Sequence, residues 1–126
     1  MKKVAVAGSV LLALAALLSL QAPGDIGHDC GAYELVRPVG QPSHLTQQRC
    51  LVHAFRTGAA AELRVQQPTV EGDPIALHYR VVATGVVDVV VDSRLDRFGS
   101  GRIQTYRCRS LSTGEGVPSH SSCTEL

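Results

Sequence analysis

A chain of 126 residues with a formal net charge of +1, falling to −1 once Lys2 and Lys3 are set aside, has no generalised basic footprint for nucleic acid or anionic lipid. Two Phe, three Tyr and no Trp leave few aromatic platforms on which a sugar or a base could stack. Length allows one small domain with a single modest core.

The first element is an export segment. Lys2 and Lys3 precede Val4–Leu20, an uncharged run rich in Ala, Leu and Val, and Gln21-Ala22-Pro23-Gly24 follows. A positive start, an apolar middle and a small-residue exit form the layout of a bacterial export signal. As a helix the run reaches only about 26 Å, short of a ~30 Å hydrocarbon core, which favours cleavage before Asp25 over a permanent span. No small-residue lipidation box precedes Cys30. Residues 1–24 are therefore expected to be a signal peptide or N-terminal membrane anchor, and residues 25–126 a single small domain. The expected location is secreted or extracytoplasmic and membrane-anchored, with membrane contact only through residues 4–20 if they are retained.

Tyr33-Glu34-Leu35-Val36 reads as a short strand stopped by Pro38, Gly40 and Pro42. Ser43 is placed to N-cap a helix that runs to about Thr57 and ends at Gly58. Leu45, Gln48, Leu51, Val52 and Phe55 share one face of it, and Cys50 falls on the other side near Thr46, His53 and Ala54. Glu62–Gln66 alternates as a half-buried strand, and Ile75, Leu77, Tyr79 and Val81 form the inward set of the next.

Ala83-Thr84-Gly85 joins that strand to Val86–Asp92 as a hairpin loop with Gly85 left-handed. The implied register sets Val81 against Val87, Tyr79 against Val89 and Leu77 against Val91, with an outer Arg80–Asp88 charge pair. Arg102–Cys108 supplies a further strand, and Ser119, Ser121 and Ser122 fall in a tail strand. The expected architecture is α+β: one helix packed on a four- to five-stranded antiparallel meander sheet.

Four cysteines in a small exported domain point to two disulfides, for which three connectivities exist. Cys108 and Cys123 are symmetric about Glu115-Gly116, and Ser112–Gly116 reads as a hairpin turn, which sets the two thiols opposite each other. Cys30 then pairs with Cys50, and Cys50–Cys108 is the runner-up. A zinc site is disfavoured by the absence of any CxxC pair. No cofactor is implied.

In such a meander the first and third connections share one end of the sheet. Glu71, Asp73, Asp92 and Asp96 are thereby drawn to one edge, with Arg94, Arg97, Arg102 and Phe98 among them. Thr69-Val70-Glu71-Gly72-Asp73-Pro74-Ile75, then Asp92-x-x-x-Asp96-x-Phe98-Gly99 and Cys108, resembles an uncharacterised family of small exported proteins of Gram-positive bacteria. That domain-of-unknown-function family is marked by T-x-E-G-D-P-I, D-x-x-x-D-x-[FY]-G and a late Cys. Asp29-Cys30-Gly31 and Arg49-Cys50-Leu51 look like its two-disulfide members. The resemblance spans Asp29 to Cys123 and implies a fold and an exported location, with no activity attached.

Glu-Gly-Asp-Pro is good turn chemistry in its own right, and local salt bridges account for much of the acidic edge. Calcium coordination by these oxygens is opposed by Arg94 and Arg97 and by spacing unlike an EF-hand. Acid–base hydrolysis by paired carboxylates lacks an aromatic-lined cleft. His28, His44, His53, His78 and His120 are dispersed, and no nucleophile elbow, HExxH, phosphate loop or dinucleotide fingerprint occurs. The reading is a non-enzymatic binding module of the cell envelope. Glu71, Asp73, Asp92, Arg94, Asp96, Arg97 and Phe98 form its candidate contact edge, and the partner is another envelope or secreted protein. A secreted protease inhibitor presenting Pro68–Pro74, and a calcium-dependent module, are the alternatives.

Overall fold

The computed structural model describes residues 27–36 and 44–126, so the expected export segment and the expected Ser43 cap lie outside the described residues. Strand β1 (His28–Glu34) leads to helix α1 (Leu45–Thr57), followed by β2 (Ala61–Pro68), β3 (Pro74–Ala83), β4 (Val86–Asp92), β5 (Ile103–Ser112) and β6 (Ser119–Glu125). All six strands join one sheet in chain order. Among the described residues, no helix is long and apolar enough to cross a membrane.

The α+β class and the single helix agree with the sequence reading, whereas the four- to five-stranded antiparallel meander does not. The sheet has six strands and is mixed: β1 runs parallel to β2, and every later pair is antiparallel. A helix between two neighbouring strands returns the chain to its starting end, which makes the pair parallel. The strand expected at Tyr33 begins at His28, where His-Asp-Cys-Gly lacks apolar alternation and the register shifts between Asp29 and Ala32. Backbone pairing with β2 carries that segment. Strand β6 is serine-rich and almost wholly exposed, so no hydrophobic signal marks its full length.

The central hairpin follows its side-chain pattern. Val81 faces Val87, Tyr79 faces Val89 and Leu77 faces Val91, as the alternation predicts. The strands close with Ala83 opposite Val86 around Thr84-Gly85, after a register irregularity at Val82, and Gly85 adopts φ +69°. The Arg80–Asp88 pairing holds for the backbone but not as an ion pair. Asp88 instead takes a two-pronged bond from Arg107 (2.8 and 2.9 Å), while Arg80 turns to Glu62 at 3.4 Å.

Leu51, Val52 and Phe55 of α1 pack on Leu63, Val65, Leu77, Tyr79, Val81, Val87 and Val89. Each large apolar side chain so buried contributes roughly 1.5–3 kcal/mol. Helix α1 covers one sheet face only, and bonds at both its ends and its middle hold it there. Gly58, at φ +79°, caps the C-terminus by donating to the Ala54 carbonyl, and the Gly85 amide donates to the Phe55 carbonyl at 2.8 Å. Cys50 is bonded to Cys30 on β1. Gln48, fully buried, donates from Nε2 towards Tyr33 Oη and the Gly114 and Gly116 carbonyls, each at 3.2 Å, and accepts the Gly114 amide at 2.8 Å. The second disulfide is Cys108–Cys123 across β5 and β6, so both expected bonds form and the Cys50–Cys108 runner-up does not.

Candidate functional site

The β2–β3 and β4–β5 loops leave the same end of the sheet, and side chains lock them together. The Arg97 guanidinium donates to both Asp73 carboxylate oxygens (3.2 and 3.1 Å), and the Arg97 backbone amide donates to Asp73 Oδ2 at 3.1 Å. Within the first loop, the Asp73 amide donates to Thr69 Oγ1, and the Thr69 amide donates to the Asp73 carbonyl. Gly72 makes that turn possible with φ +91°. In the second, Asp92 accepts from the Arg94 amide, Nε and Nη2, and Asp96 Oδ1 accepts the Phe98 amide at 3.1 Å. Gly99 leaves room beside it, since a Cβ there would make the Asp96 carboxylate shift.

The predicted edge is thus brought together, with roles that differ from those its charges suggest. Asp73, Asp92 and Asp96 are occupied by arginines and backbone amides. Hydrogen bonds from Arg97 hold Asp73 below its ordinary carboxylate pKa, and those from Arg94 do the same for Asp92. Such carboxylates stay ionised and acceptor-only at neutral pH, which suits neither a general acid nor a calcium shell whose oxygens must be free. The Pro68–Pro74 segment is a closed turn rather than the extended loop that a protease cleft would grip.

Besides the exposed Glu71, Arg94 and Arg97, the locked loops present three large apolar side chains outward. Val70 is 79% exposed, Phe98 75% and Leu95 71%. The Arg97 guanidinium lies 5.9 Å from the Phe98 ring centroid and leaves the ring exposed. Glu71 is exposed on the first loop.

Leu95 also borders a depression of about 280 Å³ formed with Gln66, Pro74, Ala76, Asp92 and Arg94. This shares Gln66, Ala76 and Asp92 with a wider groove of about 570 Å³ on the sheet face that α1 leaves uncovered. The groove follows from register. Gln66, Ala76 and Asp92 lie in one cross-strand row, and Ala32, Arg64, His78 and Val90 lie in the next. Ala76 and Ala32 are too short to fill the rows that their long neighbours define. His78 at its edge is more than a solvated side chain, since Nε2 lies 3.2 Å from Glu62 Oε2. Sequence reasoning missed this groove. Its one signal is Ala76, a methyl on the outer face of β3 between larger residues.

Comparison with protein families, with curated proteins and with solved structures returned no match.

Proposed function

We propose that this protein is a non-enzymatic binding module that engages another exported protein through its loop tip and the adjoining groove. The single observation that carries the reading is the tip itself. Three large apolar side chains stand about three-quarters exposed on two loops that an ion pair and backbone hydrogen bonds join. Anchors fixed before binding lose little conformational entropy on contact, and buried aromatic anchors dominate interface energies. Charged and polar side chains around the tip and groove supply the rim such a surface needs. The acidic residues act as the frame of the site, and Phe98, Leu95 and Val70 as its contacts. Two disulfides suit an oxidising compartment, in keeping with an exported partner.

The test places a photo-crosslinking residue at Leu95 or Phe98 in the full chain, and at Val82 at the opposite end of β3 as control. A discrete protein adduct from both tip positions, absent at Val82, supports the proposal. No adduct from the tip, or the same adducts from all three positions, overturns it.

A further inference from the structure

We propose that Cys108 and Cys123, once reduced, join His120 to form a three-ligand site for one Cu(I) ion. The donor atoms of these three residues already lie within 4.8 Å of one another. In a regular strand His120 and Cys123 would project from opposite faces, because their separation is odd. Ser122 breaks the alternation. It is the one non-glycine residue with positive φ (+55°) among the described residues, and the Arg109–Ser122 pair is missing from the β5–β6 ladder. Cys108 and Leu111 are both buried on the other side of this break, and His120 packs edge-on against Tyr79 with ring centroids 5.6 Å apart. The same kink therefore turns both sulfurs and the imidazole to one side. The Tyr79 hydroxyl lies 3.5 Å from His120 Nδ1, so the imidazole sits against a polar neighbour as well as the sulfurs.

Access runs through Cys123, which is exposed, whereas Cys108 is fully buried. A dithiol reductant attacks Cys123 Sγ, breaks the disulfide and expels the Cys108 thiolate, which takes up a proton. Its second thiol then resolves the mixed disulfide, freeing Cys123 and leaving as a disulfide, so two electrons and two protons pass to the protein. Cu(I) displaces both thiol protons and binds two thiolates and one imidazole. Soft sulfur donors select Cu(I). A structural zinc site would need four ligands, and the cluster among the described residues supplies three.

The test reduces the full chain carrying Cys30→Ser and Cys50→Ser, in which Cys108 and Cys123 are the remaining thiols, with a dithiol, desalts it without oxygen and titrates it with Cu(I) against a chromogenic chelator. Far-UV circular dichroism is recorded alongside. The expected result is one Cu(I) per reduced chain, two sulfur and one nitrogen scatterers by X-ray absorption, and no binding by the oxidised chain. His120→Ala should weaken binding about tenfold or more and remove the nitrogen scatterer. Equal affinity in His120→Ala overturns the proposal, as does an all-sulfur shell. Loss of the fold on reduction also overturns it, since the site needs β5 and β6 in register.

Discussion

Replacing Gln48 by Ala tests how the helix is fastened to the far end of the sheet. The side chain is 1% exposed, and its amide serves two strand-flanking segments at once. Its Oε1 accepts the Gly114 amide, and its Nε2 supplies the Gly114 and Gly116 carbonyls and Tyr33 Oη. In Gln48→Ala the Gly114 amide loses its partner, at a cost of roughly 1–3 kcal/mol for an unsatisfied buried group. The Gly114 carbonyl loses a bond worth about 1 kcal/mol, whereas Gly116 keeps the 2.6 Å bond from Tyr33. The sum is about 2–4 kcal/mol, or a Tm drop of roughly 8–32 °C for a domain near 100 residues. Thermal and urea unfolding followed by circular dichroism measure it, with limited proteolysis reporting release of residues 113–118. Gln48→Glu should be no better than Ala, since its carboxylate would face the same carbonyls. A Tm loss under about 3 °C, with the loop still protected, would refute the reasoning, because water would then replace the amide without penalty.

Gly58→Ala should destabilise by at least about 1–2 kcal/mol, since φ is +79° and a Cβ would also strike Thr84; chemical denaturation reads it. The acid limb should depend on Asp88, whose pKa is depressed chiefly by its hydrogen bond from Arg107. A depressed carboxylate contributes stability above its unfolded pKa of about 3.9 and loses it as pH falls through the lower folded value. As pH falls below about 4, the Tm of wild type should therefore fall more steeply than that of Asp88→Asn.

The parts of the fold legible in sequence are those where side chains obey a period. Leu77, Tyr79 and Val81 against Val87, Val89 and Val91 fix the central hairpin, because a slip of one residue would expose the whole set. Gly58 marks the helix end, and the symmetry of Cys108 and Cys123 about their turn marks a disulfide. Strands β1 and β6 are legible only in part: Tyr33 and the serine tail mark them, but His28–Ala32 and most of β6 show no apolar period and join the sheet through backbone pairing. At the loop end, composition identifies the residues but not their partners. Asp73 looks available in sequence, and only the fold brings the Arg97 amide and guanidinium against it from 24 positions away. The groove is hidden for a related reason: Ala76 is shallow only relative to neighbours on other strands.

The central claim is that apolar side chains make the contact while the acids hold the loops. The most direct test is the equilibrium affinity for the protein captured through the tip, measured for Phe98→Ala and for Glu71→Gln. A buried aromatic anchor is worth about 2 kcal/mol or more, so Phe98→Ala should weaken binding roughly thirtyfold. Glu71→Gln, which alters an exposed charge on the same tip, should change affinity less than about threefold. A large loss in Glu71→Gln with Phe98→Ala close to wild type would contradict the account.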